Sequence, residues 1–297
     1  MQAATSMSKI ATIGFFDGVH LGHRYLFDQL RKLAQMRGLA PMIITFRQHP
    51  RAVLYPSFQP ELITPTDERI ALIEASSGIT PEVIDFASIH TLTAAAFMHK
   101  LHQDEQVTAL LMGYDHRFGS DRLRTQEQYR CVGIKEGIDV LTLNEYTDAS
   151  QHISSTEIRH ALTQGDIHQA NALLGRPYSL SGYIEHGNAI GRTIGFPTAN
   201  IHPDEHLQLI PLSGVYQVQV LLPCYEQPLK GILNIGTNPT VGNTRETIEL
   251  HIPDWTGDLY GQHLTVLFER RIREERSFGS LDDLRRQISE DIKIFHT

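Results

Sequence analysis

Residues Gly14 to His23 read GFFDGVHLGH, and the fold follows from what stands on either side of them. Before them runs Ile10-Ala11-Thr12-Ile13, an apolar alternating stretch; after them, from Arg24 to Met36, Leu26, Leu30 and Leu33 recur on one helical face. The segment is therefore a tight turn between a strand and a helix. Gly14, Gly18 and Gly22 permit a backbone path closed to other residues and a close approach to a ligand. His20 and His23 lie three apart at the helix start, so both imidazoles point the same way. A helix N terminus presents unpaired N–H groups and a partial positive charge. Two imidazoles there, with Phe16-Asp17-Gly18 leading in, make an anion site suited to a phosphate chain.

Outward from this turn, as far as Leu143, β-rich runs alternate with helical patterns. Met42 to Phe46, Val83 to Phe86, Val107 to Met112 and Ile138 to Leu143 read as strands. Asp67 to Ala75 (with Thr66 as N-cap), Ala94 to His102 (capped by Thr93) and Gln126 to Glu136 read as helices. Apolar strands alternating with helices predict a parallel sheet covered on both faces, whose ligands bind beyond the strand C-terminal ends. The loops Gly14 to His23, Phe46 to Pro50 and Gly113 to Gly119, the last carrying Asp115, are therefore where chemistry is expected. Ser154 and Glu157 then have capping-box spacing for a helix running toward Thr163. The hydroxyls of Ser155 and Thr156 with the cation of Arg159 suit a phosphate. A short helix from Asp166 to Leu174 ends at Gly175, and Arg176-Pro177 marks the hinge between domains 1–175 and 176–297.

After Tyr178 helical periodicity gives way to short alternating runs: Leu180 to Glu185, Gly214 to Leu222, Leu229 to Ile235, Thr247 to Ile252 and Leu264 to Phe268. They predict a small antiparallel barrel or sandwich. Leu281, Leu284, Ile288, Ile292 and Phe295 form one face of a closing helix that starts at Ser280. The loop from Gly187 to Asn200 combines Gly191, Arg192, Gly195 and Pro197 with the oxygens of Thr198 and Asn200, suiting a di- or triphosphate and Mg²⁺. In Thr247-Ile248-Glu249-Leu250-His251-Ile252 the apolar residues share one face, which puts Glu249 on the other. A carboxylate there is either a solvated strand residue or, facing a phosphate site, a base for an attacking hydroxyl.

The 297 residues suffice for about two domains, and a net charge of −8 argues against a protein that coats nucleic acid. Small phosphorylated ligands need only a local patch. The two cysteines, Cys131 and Cys224, lie far apart and fit a reducing compartment. The first residues lack a leader pattern, and nowhere do about 18 apolar residues run together, so no membrane association and a cytoplasmic location are expected. Oligomeric state is not legible.

His20-Leu21-Gly22-His23 resembles the HxGH signature of the nucleotidyltransferase superfamily. With GFFDGVHLGH, TFRQHP, GYDHRFG, ISSTEIR, LLGRPY, GRTIGFPTAN, NIGTNPT, DLYG and RIREERSF in one order, the chain from about Lys9 to Ile292 resembles the bacterial bifunctional riboflavin kinase/FAD synthetase family. The resemblance implies an α/β protein: an N-terminal Rossmann-like nucleotidyltransferase domain that adenylylates FMN to FAD, and a C-terminal β-barrel that phosphorylates riboflavin to FMN. ATP and Mg²⁺ serve both. It implies that His20 and His23 hold ATP phosphates, supported by Ser155, Thr156 and Arg159, with Asp115 positioning the nucleotide or flavin. It further implies that Thr198 and Asn200 contact magnesium and phosphate and that Glu249 is the catalytic carboxylate. The chain departs from the family pattern at Phe15, Gln48, His116 and His152, all in the first domain.

Overall fold

The structure is a computed structural model that describes residues 7–144, 146–148, 151–185, 195–223, 225–240, 243–253, 255, 257 and 259–295. It divides into two compact units, Met1–Ser155 and Thr156–Thr297. The hinge expected at Arg176-Pro177 lies inside the second.

In the first unit β1 (Lys9–Ile13), β2 (Ala40–Phe46), β3 (Glu82–Ile84), β4 (Val107–Met112) and β5 (Asp139–Thr142) form a sheet in the order β3-β2-β1-β4-β5. Every pair is parallel, as the apolar runs predict. The chain moves outward from β1 to β3 and then returns to the other side of β1. That reversal leaves a crevice at the C-terminal end of β1, where ligands of such sheets bind. GFFDGVHLGH begins there.

The helices of this unit are α1 (Leu21–Arg37), α2 (Pro50–Leu54), α3 (Thr66–Ser77), α4 (Ala94–Glu105) and α5 (Gln126–Glu136). Because successive strand residues face opposite sides, the core splits in two. Ile10, Ile43, Ala109 and Leu111 pack with Phe27, Leu30 and Ile73 of α1 and α3. Ala11, Ile13, Ile44 and Leu110 pack with Phe97, Met98 and Tyr129 of α4 and α5. Thr93 caps α4 as expected, accepting from the Ala96 N–H at 3.2 Å. Thr66 does not cap α3: it is the first helical residue after Pro65, and its hydroxyl donates to the Arg47 carbonyl at 3.2 Å. The loop after β2 contains α2, whose N-cap is His49. A short hairpin follows, β6 (Thr147–Asp148) with β7 (Gln151–His152), and leads into α6 (Ser155–Thr163).

The second unit contains α7 (Ile167–Leu174) and the strands β8 (Tyr178–Glu185), β9 (Ala199–Pro203), β10 (Gly214–Leu221), β11 (Leu229–Thr240), β12 (Asn243–His251) and β13 (His263–Arg273). They close into a barrel in the order β10-β11-β12-β9-β8-β13. Its interior holds Leu180, Tyr216, Val218, Leu233, Ile235, Leu250, Val266 and Phe268, all essentially buried. β9 corrects the sequence reading, which left Ala199 and Asn200 in a loop. Ala199 and Ile201 turn into the core, and the backbone pairs with both β8 and β12. The last helix, α8 (Leu281–Ile292), starts at Ser280 as expected, the Ser280 hydroxyl accepting from the Asp283 N–H at 3.2 Å. Leu281, expected on its packed face, is 55% exposed.

Candidate active sites

The first site is built by the turn between β1 and α1. Phe16 takes a left-handed conformation (φ 57°, ψ 37°), Gly18 follows at φ 79°, and Val19 at φ 42°. Such values in Phe and Val store strain that the surroundings must hold, a pattern concentrated at functional sites. Gly14 is required because the Phe16 ring folds back over it, so that a Cβ there would meet the ring at 2.6 Å. Phe16 then packs edge-on against His23 and Phe27, at 5.2 and 5.1 Å.

The two histidines are brought together as expected. His20 is the N-cap of α1, its Nδ1 accepting from the His23 N–H at 3.4 Å, and the two rings stack at 3.6 Å with 20° between their planes. The helix therefore starts at Leu21 rather than at Arg24. Gly22 keeps space for this stack, since a Cβ would lie 3.2 Å from the His20 ring. His20 is 6% exposed, and the His23 Nδ1 is buried with no hydrogen-bond partner. Burial, then the His20 ring, then Arg69 push the His23 pKa well below the ordinary imidazole value. His23 is thus neutral in the free protein, with an unspent polar atom at the mouth of a helix dipole.

Asp17 ties the turn to a second segment of the chain. Its buried carboxylate accepts from the backbone N–H groups of Ile63 and Thr64 at 3.1–3.2 Å, anchoring a second segment beside the turn. Its carbonyl accepts from the Ser155 hydroxyl at 3.0 Å, which brings the start of α6 to the turn. Thr156, exposed, and Arg159, half-buried, follow on that helix.

The other two loops also end strands of this sheet. Phe15 packs edge-on against His49 at 4.8 Å, and His49 lies 5.7 Å from Phe58. In the third loop Asp115 is exposed, and burial lowers the pKa of His116 to about 4 against the pull of Asp115. The Tyr129 hydroxyl clasps this loop, donating to the Phe118 carbonyl at 2.7 Å and accepting from its N–H at 2.8 Å. Tyr114 meets His152 edge-on at 6.4 Å. Arg69, which the sequence reading passed over, is fully buried among these loops. Its place among Ile70, Leu72 and Ile73 on a helix that packs on a sheet was the signal available.

The second site lies on the outer face of the barrel. Register places Asn234 of β11, Glu249 of β12, Asn200 of β9 and Glu185 of β8 in one row across four strands, and directly opposed residues share a face. Ile248 and Leu250 point inward, as the alternation predicts. Burial, then the charge of Glu275, raises the Glu249 pKa, making it a stronger base than a solvated carboxylate. His251 is buried, its Nδ1 2.9 Å from the Pro197 carbonyl and its ring 5.5 Å from Phe196. This contact pins the 195–198 segment, with Gly195, Pro197 and Thr198, beside the row. Gly191 and Arg192 lie outside the described residues. Thr198 and Asn200 offer neutral oxygens, a donor type that suits a hard divalent cation sharing its shell with water and phosphate.

Comparison with known proteins matches the two halves of the chain separately. Residues 174–297 match the family model of riboflavin kinase, and residues 2–157 that of FAD synthetase. The bifunctional riboflavin kinase/FMN adenylyltransferase of Escherichia coli (strain K12) is 37% identical over 284 residues, covering 95% of this chain and 90% of that protein. Its counterpart in Bacillus subtilis (strain 168) is 32% identical over 290 residues, with the same shares. A crystal structure described as a macrolide-efflux protein from Streptococcus pneumoniae is similar with a TM-score of 0.87 at 30% identity, covering 99% of this chain and 95% of that one. No helix among the described residues is long and apolar enough to cross a membrane. With both halves matched in order and the relatives matched over nearly their full length, the chain belongs to the bifunctional riboflavin kinase/FMN adenylyltransferase family.

Proposed function

We propose that the two activities of this enzyme are housed in the two constellations described above. The barrel phosphorylates riboflavin to FMN, and the parallel-sheet unit adenylylates FMN to FAD, each with ATP. The observation that carries the reading is the polar row in which Glu249, half-buried, stands in register with Asn200 on the outer face of the barrel.

In the kinase step Glu249 accepts the proton of the riboflavin hydroxyl as its oxygen attacks the γ-phosphorus of ATP, and ADP leaves. The raised pKa of Glu249 favours that transfer. Thr198 and Asn200 would hold a divalent cation, Mg²⁺ in our reading, with Gly191, Arg192, Gly195 and Pro197 supporting the phosphates. When bound, the cation neutralises charge on the phosphate oxygens.

In the adenylyl step a phosphate oxygen of FMN attacks the α-phosphorus of ATP and pyrophosphate departs. His20, His23 and the N terminus of α1 stabilise the leaving charge, and Ser155, Thr156 and Arg159 extend the phosphate site. Gly14, Phe16, Asp17, Gly18 and Gly22 shape the turn so that backbone approaches the nucleotide, and Asp115 orients nucleotide or flavin. Positioning and charge stabilisation supply the catalysis, with no covalent intermediate. We place the enzyme in the cytoplasm, beside its ATP supply.

The test is a flavin assay on Glu249→Ala with Mg²⁺ and ATP. Riboflavin should remain unconverted, while supplied FMN still becomes FAD. Equal loss of both products would refute separate sites. In the wild-type enzyme, FMN accumulating without FAD would mark the first unit as a scaffold that Phe15, Gln48, His116 and His152 have disarmed.

A further inference from the structure

Beneath the turn of the first unit lies a cation that no motif contains. Arg69, on α3, is 0% exposed. One terminal nitrogen donates to the Phe15 carbonyl at 2.6 Å and to the Thr45 hydroxyl at 2.7 Å; the other donates to the Phe46 carbonyl at 2.7 Å. Phe15 lies just past β1, and Phe46 closes β2. A single guanidinium therefore staples the ends of the two strands that carry two of the three candidate loops.

The Phe15 ring covers this group, its centroid 4.0 Å from the guanidinium carbon. The position is one of the chain's departures from the family pattern. All three acceptors are neutral oxygens, and among the described residues no carboxylate lies within ion-pair distance of Arg69. Burial lowers its pKa to about 10, with Asp17 opposing and Arg47 adding to the shift. A buried cation without a bonded counter-ion costs several kcal/mol. Stapling carbonyls needs donors but not a charge, so the charge itself calls for a purpose, and an arriving polyanion supplies one.

We propose that Arg69 is a positioning residue for adenylyl transfer: it holds the loops after β1 and β2 in one frame and adds a fixed positive charge to the polyphosphate site formed by His20 and His23. The inference rests on our reading of that pair as the adenylyl-transfer site. The groups acting on the His23 imidazole are His20, stacked on it from the cap of α1, and Arg69 from α3; the Asp17 carboxylate is engaged with backbone N–H groups. Loss of the Arg69 charge removes one of the two neighbours that disfavour a charged His23, so His23 should take its proton at higher pH.

The full-length chain tests this, because its riboflavin kinase rate reports folding and concentration in the same sample. Arg69→Gln removes the charge; Arg69→Lys keeps it but cannot span three acceptors. Arg69→Gln should lower kcat/KM for ATP in FMN adenylylation by about 10²-fold, the scale of a misplaced catalytic frame. Arg69→Lys should lower it by about tenfold, the scale of one lost hydrogen bond. The kinase rate should stay within about twofold in both. An NMR titration of the His23 imidazole, identified by its loss in His23→Gln, should move to higher pH in Arg69→Gln and stay in place in Arg69→Lys. If Arg69→Gln does not fold, wild-type adenylylation in Arg69→Lys overturns the role. Unaltered adenylylation or an unmoved His23 titration in a folded Arg69→Gln does the same. His20→Ala separates the two levels: full adenylylation in that variant overturns the site reading itself, whereas its loss beside a fully active Arg69→Gln overturns only the role of Arg69.

Discussion

His20 has two duties that a single substitution exposes together. It caps α1 and it presents an imidazole to the phosphate site. His20→Ala should lower the FMN adenylylation rate by about 10²-fold, as when one preorganised donor is removed. The long 3.4 Å cap bond puts the stability loss at the low end of cap deletions, about 0.5 kcal/mol. Rate and melting temperature measured on one preparation separate the two duties. His116 makes a different prediction. Its folded pKa is lowered to about 4, against about 6.5 in an unfolded chain. The unfolded state therefore binds the proton first as pH falls, and stability that is complete above about pH 6.5 is lost progressively toward pH 4. His116→Phe should show a smaller fall in melting temperature between pH 7.5 and pH 5 than the wild type. An equal fall would show that this imidazole is not held neutral.

At the scale of elements, the terminal helix is fastened by chemistry more than by its apolar stripe. Arg273 at the end of β13 donates to both Asp291 carboxylate oxygens at 2.8–3.1 Å, with side-chain exposures of 13% and 4%. Removing one partner strands the other charge, so Asp291→Ala should destabilise the barrel unit by about 3–5 kcal/mol, while Arg273→Met/Asp291→Leu should recover most of that loss. Urea unfolding followed by circular dichroism distinguishes the two variants. Leu281 shows why such a helix is only partly legible: its spacing fits the stripe, but nothing in spacing says where the stripe stops meeting a partner. The strands of the first unit were legible because both faces are buried and their apolar runs are continuous, as in Val107 to Met112. β9 was not, because Pro197 and Asn200 read as loop chemistry and only its pairing with β8 and β12 makes it a strand. The histidine pair could be read from spacing three on a helix; for Arg69 the pattern signals at most a buried position, because its partners, the Phe15 and Phe46 carbonyls and the Thr45 hydroxyl, are distant in sequence.

For the whole molecule, two sites in sequence predict a time course. A reaction begun with riboflavin should show FMN first and FAD after a lag, whereas one begun with FMN should show no lag. His20→Ala should halt the first reaction at FMN, and chelation of divalent cations should stop FMN formation at the outset. Simultaneous appearance of both products from riboflavin would mean that FMN does not pass through a free pool.

Among the described residues the barrel closes on itself and leaves no strand unpaired, but the five-stranded sheet ends in β3, of three residues, and β5, of four. Their brevity, and the Arg37–Asp139 ion pair at 2.6 Å on β5, are the means by which natural sheets discourage intermolecular pairing. Clumping on heating should therefore begin with loosening of the N-terminal sheet, its turbidity tracking loss of that unit while the barrel is still folded.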